Sequence, residues 1–121
     1  MNNKTKNFEV TKSSKVINPD IHFMVLNTLN ENPHITQREL AQKLGISLGG
    51  INFCLKALID IGHIKAQNFS KNPKKLAYLY FLTPKGISEK ARLTSGFLKR
   101  KINEYRALKK EIVSLKLSLK D

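Results

Sequence analysis

The segment SLGGINFCLK, which runs from Ser47 to Lys56, combines residue types suited to nucleic acid recognition. Asn52 carries the donor and acceptor pair that can read adenine in the major groove, and Phe53 can contact a thymine methyl group. Lys56 is suited to a phosphate. Ser47 and the free N–H groups of a helix start can bind another phosphate. The segment therefore predicts a DNA-reading helix.

Two consecutive glycines, Gly49 and Gly50, lie in the first turn of this helix. Each lowers helix stability by roughly 1 kcal/mol relative to alanine. At the leading edge of a recognition helix they allow the backbone to approach DNA closely, but they offer no side chain to a base. Base readout then depends on Leu48, Asn52 and Phe53, and on DNA shape. The predicted outer face comprises Leu48, Gly49, Asn52, Phe53 and Lys56, with Gly50 at its margin.

Purely structural roles are open for several of these residues. Ser47 caps a helix in any protein, and so does Thr36. Phe53 either contacts DNA or covers the edge of the hydrophobic core. Cys54 has apolar neighbours on its helix, which is typical of a packed, inert thiol.

The elements before this segment predict a helix-turn-helix. Asn18 caps a first helix, which is expected to end before NENP (30–33) because proline disfavours helix in the residue before it. Thr36 and Glu39 form a capping box for a second helix, which Gly45 ends. Ser47 then starts the third helix (about 47–61), whose inward positions are Ile51, Leu55, Leu58 and Ile59. At the start of the second helix, Thr36, Gln37 and Arg38 are expected to grip the flanking DNA backbone.

Strand-like patterns follow at 63–68 and 76–82, on either side of a lysine-rich turn. Three helices and a hairpin predict a mainly α fold with a small β-hairpin, the winged helix-turn-helix, with a long C-terminal helix. The wing (about 68–75) is expected to contact the DNA backbone or minor groove. Its candidate residues are Lys71, Asn72, Lys74 and Lys75.

A heptad pattern continues from Ile87 to the end of the chain. It predicts that residues 96–121 form a coiled-coil dimerisation helix, in contrast to leucines that fold back on the chain's own core. With Ile112 at position a, Leu108 and Leu115 fall at d, as in parallel two-stranded coils. Lys101 interrupts the seam and leaves the orientation of pairing open. The candidate dimerisation residues are Leu98, Tyr105, Leu108, Ile112, Leu115 and Leu119.

The charge balance of 22 Lys+Arg against 9 Asp+Glu, a net charge of +13, favours a polyanionic partner. Residues 1–17 are expected to form a loose basic arm, without an apolar signal segment. The single cysteine excludes an internal disulfide. His22, His34 and His63 lack metal-ligand spacing. We therefore expect a cytoplasmic protein without metal, cofactor, membrane span or catalytic activity.

The run QREL…LGISLG…CLKAL…G, together with LTPKG and KARLT…FLKRKI, resembles the MarR-type winged helix regulators. In particular it resembles a compact subgroup associated with exopolysaccharide genes, over about residues 20–115. The resemblance implies a DNA-binding dimer that regulates transcription at a pseudo-palindromic operator. Larger relatives also dimerise through a long N-terminal helix, whereas no helical pattern precedes Asn18.

Two hypotheses of function follow. In the first, residues 18–95 form a winged helix domain that binds double-stranded DNA sequence-specifically, and the chain acts as a homodimeric transcriptional regulator. In the second, the winged helix is an adaptor whose C-terminal helix binds a protein partner. Lysines on both the recognition face and the wing favour the first. The operator, the sign of regulation and any small-molecule effector are undetermined by the sequence.

Overall fold

The computed structural model describes residues 17–68 and 78–120, which form four helices and one antiparallel pair of strands. This is the expected winged helix-turn-helix with a long C-terminal helix. None of the described helices is long and apolar enough to cross a membrane. The helices are α1 (Pro19–Glu31), α2 (Gln37–Leu44), α3 (Leu48–Asp60) and α4 (Pro84–Lys120), and the strands are β1 (Ile64–Asn68) and β2 (Tyr78–Leu82).

Helix α1 begins at its predicted cap and ends later than predicted. The Asn18 side chain accepts a hydrogen bond from the Asp20 backbone N–H at 2.8 Å. The helix continues to Glu31, so the expected end before residue 30 was wrong. Asn32 is the first residue to leave helical geometry, with φ −143° and ψ 84°. Pro33 thus restricts its immediate neighbour and not the residues before it.

The hydrophobic core lies between α1, α2, α3 and the hairpin, and it also receives Leu93 from α4. Ile17, the last residue of the predicted arm, is buried there, while residues 1–16 lie outside the described part. Ile59, predicted to face inward, is 39% exposed. It lies about 100° around the helix from buried Leu58 and so leaves the apolar stripe. The largest fully buried side chains are Leu26, Leu29, Leu40, Ile51, Leu55, Leu58 and Val25.

The hairpin pairs Ile64 with Leu82 and Asn68 with Tyr78. Residues 69–77, which include the tip of the predicted wing, lie outside the described residues. The Tyr80 ring points into the core and is 7% exposed. Its backbone N–H donates to the Pro33 carbonyl at 3.3 Å, which ties the hairpin to the α1–α2 connection.

Residues 83–86, which follow β2, contact residues 61–63, which follow α3. We call this contact the junction. The Thr83 backbone N–H donates to the His63 carbonyl at 3.0 Å, and the Thr83 hydroxyl donates to the Gly62 carbonyl. The same hydroxyl oxygen accepts from the Gly86 N–H at 3.0 Å and so caps α4. A Cβ at Gly86 would lie 2.0 Å from the His63 carbonyl oxygen, so only glycine fits there. The motif LTPKG therefore has a structural basis.

Helix α4 leaves the domain as one continuous helix. It passes through Gly96 without a break, and its last buried residue is Leu93. The Phe97 ring stacks on Phe23 of α1, with centroids 4.5 Å apart. Arg100 forms an ion pair with Asp20, also on α1. From residue 98 to 120 every residue of the helix is exposed.

Two histidines that are distant in sequence meet beside the junction. His22 Nε2 lies 3.0 Å from His63 Nδ1, and the rings stack with centroids 5.1 Å apart. Such a bond requires one neutral ring, because both nitrogens of a charged imidazole are donors. Burial lowers the pKa of both histidines. The Glu89 carboxylate opposes this by raising both pKa values, and the Arg92 guanidinium adds to the lowering.

The lowered pKa values predict that acid destabilises the fold. The unfolded chain takes up protons on His22 and His63 as the pH falls through about 6.5, whereas the folded chain resists them. This part of the stability is therefore complete above about pH 6.5 and is lost as the pH falls toward the folded pKa values. His22→Gln keeps a hydrogen-bond donor but removes one of the titrating rings. We expect it to flatten the change in urea midpoint between pH 7.5 and 5.5.

The matched control is Gln42→Ala, which changes an exposed side chain of α2 and leaves both histidine rings in place. It should keep the wild-type pH dependence of the urea midpoint. A His22→Gln chain with the same acid sensitivity as the wild type would contradict the assignment.

Candidate nucleic-acid interface

The start of α2 is fixed by the predicted capping box. The Thr36 hydroxyl oxygen accepts from the Glu39 N–H at 3.0 Å, and the Thr36 N–H donates to Glu39 Oε1 at 2.9 Å. A hydroxyl that accepts one bond still has its own hydrogen to donate. The Thr36 hydroxyl can therefore cap α2 and donate a hydrogen bond to a phosphate at the same time. Arg38 is exposed in the same turn.

The turn between α2 and α3 has the geometry that its glycine predicts. Gly45 has φ +68° and lies in the left-handed region, where a side chain would be strained. Ile46 then donates from its N–H to the Ala41 carbonyl at 3.0 Å. Ser47 follows and caps α3, accepting from the Gly50 N–H at 3.0 Å. These hydrogen bonds define the connection between α2 and α3.

The two glycines of α3 have different surroundings. A Cβ at Gly49 would meet no atom within 4 Å, so this position is open to its surroundings. A Cβ at Gly50 would lie 2.9 Å from Ile46 Cγ2 and 3.1 Å from the Ser47 hydroxyl. A side chain at position 50 would therefore crowd Ile46 and the Ser47 cap. The fold gives no such reason for a glycine at position 49.

The outer face of α3 projects away from the core. Leu48 is 41% exposed and Phe53 is 49% exposed, and Lys56 and Gly49 are exposed as well. Phe53 is not among the partly buried side chains that pack against the core. The structure thus favours a contact surface over a core-edge role for this phenylalanine. Leu48 and Phe53 form the apolar part of that surface.

Asn52 takes part in a hydrogen-bonded chain that sequence reasoning missed. Its Nδ2 donates to Gln37 Oε1 at 3.3 Å, and Gln37 Nε2 donates to the Tyr80 hydroxyl at 3.0 Å. The chain links α3, α2 and β2 through partly buried groups. Nδ2 has two hydrogens, so the bond to Gln37 uses only one of its two donors. The bond holds the amide of Asn52 against the side chain of Gln37 on α2.

The described part of the predicted interface therefore brings the α2 start and the α3 face together. Four predicted wing residues, Lys71, Asn72, Lys74 and Lys75, lie outside the described residues. Tyr80 is the residue that the sequence did not flag. Its apolar strand pattern predicts burial, but nothing local shows that its hydroxyl meets a glutamine 43 positions away.

No metal or thiol chemistry is evident in the part of the chain that the structure describes. Within it, no group of three or more His, Cys, Asp or Glu side chains could hold a metal ion. Cys54 is buried, and burial raises the pKa of its thiol. A raised pKa keeps the sulfur protonated and poorly nucleophilic. This agrees with the predicted inert thiol.

Fold and exposed face together define a winged helix-turn-helix protein. Residues 19–65 match the family model described as winged helix-turn-helix DNA-binding. No curated protein has a sequence that matches this chain.

Several solved regulators share the fold at low sequence identity. FabT of Streptococcus pneumoniae, solved in complex with DNA, is 18% identical, with a TM-score of 0.52, over 83% of this chain and 74% of that one. The adhesin competence repressor AdcR of Streptococcus pyogenes is 16% identical, with a TM-score of 0.59, over 97% and 89%. A MarR family protein of Mycobacterium tuberculosis in complex with salicylic acid is 16% identical, with a TM-score of 0.58, over 89% and 93%.

The difference between the two glycines gives a direct prediction. Gly49→Ala should raise the free energy of unfolding by about 0.5–1 kcal/mol, because alanine gains helix propensity without a clash. Gly50→Ala should lack that gain, because its Cβ overlaps Ile46 and the cap. Urea denaturation of the two variants measures the difference. Equal stabilisation by both would contradict the steric role of Gly50.

Proposed function

We propose that this protein is a MarR-type transcriptional regulator that binds double-stranded DNA sequence-specifically as a homodimer in the cytoplasm, without catalysis. The single observation that carries the proposal is the exposed, capped and glycine-bearing start of α3. It faces away from the core beside the start of α2. The likeness to a regulator solved with DNA supports the same assignment. The link to exopolysaccharide genes follows from the sequence resemblance alone.

In the proposed complex, α3 enters the major groove with its N-terminal residues leading. Asn52 reads adenine through its amide, while Leu48 and Phe53 meet thymine methyl groups. Gly49 lets the helix backbone approach the base edges or a phosphate. No contact within the described fold requires a glycine at position 49. In this proposal the close approach of DNA explains why a glycine is there.

Phosphate contacts surround this reading face in the proposal. Ser47, Thr36 and the backbone N–H groups at the two helix starts hold phosphates, as helix N-termini do in general. Arg38 and Lys56 supply positive charge on either side. The wing lysines at 71, 74 and 75 extend the contact to the neighbouring backbone or minor groove.

A second candidate function is a protein-interaction adaptor, which the exposed apolar residues of α3 and α4 favour. An adaptor function does not explain why basic residues such as Arg38 and Lys56 lie on either side of the α3 face. Selection of bound sequences from random DNA separates the two functions. Enrichment of a symmetric motif supports the regulator, and no enrichment over the starting pool contradicts it.

The wing lysines give a quantitative test by salt titration. In the triple variant Lys71→Ala/Lys74→Ala/Lys75→Ala, DNA affinity should fall. The slope of log affinity against log salt should drop by roughly 0.9 for each lost phosphate contact. The matched control, Lys99→Ala/Lys110→Ala/Lys120→Ala, removes the same charge from α4. An equal loss in both variants would show a general charge effect and not a wing contact.

Dimerisation through α4 is the other half of the proposal. The seam residues Leu108 and Leu115 are 54% and 60% exposed in the single chain, so a partner is needed to bury them. Leu108→Glu/Leu115→Glu should make the chain monomeric by sedimentation. Val113→Glu/Leu117→Glu alters equally exposed residues off the seam and should leave the dimer intact. A seam variant that stays dimeric would contradict dimerisation through this helix.

A further inference from the structure

The second half of α4 has an apolar surface that nothing in the described chain covers. Its ties to the domain end at Phe97 and Arg100, which contact α1, and all residues from 98 to 120 are exposed. The exposed large apolar side chains of this part are Leu98, Ile102, Tyr105, Leu108, Ile112, Val113, Leu115, Leu117 and Leu119. Most of them follow the seven-residue pattern of a coiled coil.

Charged residues border this pattern on opposite sides. With Ile112 at a, the seam contains Leu98, Tyr105, Ile112 and Leu119 at a, and Lys101, Leu108 and Leu115 at d. Glu104 and Glu111 then occupy successive g positions, and Lys109 and Lys116 occupy successive e positions. Lys109 Nζ lies 6.0 Å from the centroid of the Tyr105 ring, at the border of the seam.

We propose that the seam pairs with a second copy of this chain as a parallel, in-register coiled coil. This inference rests on the dimer of the proposed function and adds its orientation. In a parallel coil, each g residue faces the e residue five positions later on the other helix. Glu104 then meets Lys109 of the second copy, and Glu111 meets Lys116 of the second copy. Two-fold symmetry repeats both pairs, so every such contact joins opposite charges.

The antiparallel arrangement is disfavoured by the same residues. There g faces g and e faces e, so glutamates would meet glutamates and lysines would meet lysines. Charges at these positions set the partner and orientation of coiled coils. The separation of acid and base onto opposite borders therefore selects the parallel form.

Lys101, the polar residue of the seam, is accommodated within its own helix. Its Nζ lies 3.2 Å from Glu104 Oε1 and 5.3 Å from the centroid of the Phe97 ring. The charge is thus partnered at the end of the seam nearest the domain, where the coil is beginning. Val113 and Leu117 lie at the outward b and f positions and stay on the coil surface.

The parallel form also brings the two winged helices together. They lie side by side at one end of the coil, whereas an antiparallel coil would separate the two Leu93 positions by about 45 Å at 1.5 Å rise per residue. Two half-sites one helical turn of DNA apart, about 34 Å, require neighbouring recognition helices. The orientation that the charges select is therefore compatible with operator binding.

Charge exchange in the full chain tests the orientation. We expect Glu111→Lys to raise the dimer dissociation constant about fivefold or more, because its two symmetry-related attractive pairs become repulsive. Glu104 is kept, since it partners Lys101 within its own helix. Adding Lys116→Glu to the same chain restores the pairs and should return the constant to within about twofold of the wild type. In an antiparallel dimer Glu111 faces another g position, so a constant that is unchanged or lowered by Glu111→Lys would overturn the proposal.

Cross-linking gives an independent readout. In a Cys54→Ala chain, Leu119→Cys puts one thiol at the last a position, and oxidised glutathione should link the two copies of a parallel dimer through a disulfide. Leu117→Cys, on the outer surface, is the matched control and should stay unlinked. A dimer without the link at position 119 overturns the parallel orientation and leaves the proposed dimer standing. A chain that sediments as a monomer overturns both, and a trimer or larger assembly overturns the two-stranded coil.

Discussion

The close approach of Gly86 to the His63 carbonyl is the contact on which the rest of the molecule depends. With Thr83 it joins three elements at one point: the end of α3, the first residue before β1 and the first turn of α4. The position of the long helix α4 is therefore set relative to α3 by backbone contacts, which side-chain rearrangement does not loosen. In the proposed dimer, the geometry of the coil is transmitted to the two DNA-reading faces through this junction.

The start of α3 shows how one short segment meets two demands. Its first turn must be capped, and Gly50 makes room for the Ser47 hydroxyl and for Ile46. In the proposed complex it must also leave a surface that DNA can approach, and Gly49 leaves that surface open at a cost in helix propensity of roughly 1 kcal/mol. The adjacent glycines therefore have different surroundings: a Cβ would crowd Ile46 and the cap at position 50, whereas it would meet no atom at position 49.

Local signals predicted most of this architecture. The capping box of Thr36 and Glu39, the left-handed Gly45 and the Ser47 cap depend on neighbours within a few residues, and all three occur as expected. The predicted burial of Ile59 was wrong because this residue lies about 100° around α3 from Leu58, outside the apolar stripe that faces the core. The end of α1 was wrong because proline acts on a single predecessor. These are errors of position along elements whose type was predicted correctly.

Contacts between distant segments were beyond the sequence pattern. The pairing of His22 with His63 and the chain from Asn52 to Tyr80 join residues far apart in sequence, and only the packed fold shows which groups meet. No rule of spacing relates a histidine in α1 to one after α3. Residues at these contacts therefore lack a local signature, although Gln37 and Tyr80 hold the amide of Asn52 at the proposed interface.

Lys101 illustrates how the structure changes the meaning of a sequence irregularity. In the sequence Lys101 is a charged residue at a position where the heptad pattern expects an apolar one. For that reason the sequence alone does not decide between parallel and antiparallel pairing of α4. In the structure its charge is taken up by Glu104 and the Phe97 ring of the same helix, so it sets no preference between orientations. The preference for one orientation then depends on the e and g residues. Glu104 and Glu111 lie on one border of the seam, and Lys109 and Lys116 lie on the other. In the proposed dimer only the parallel orientation opposes acid to base at these border positions, and the same orientation brings both α3 helices to one end of the coil.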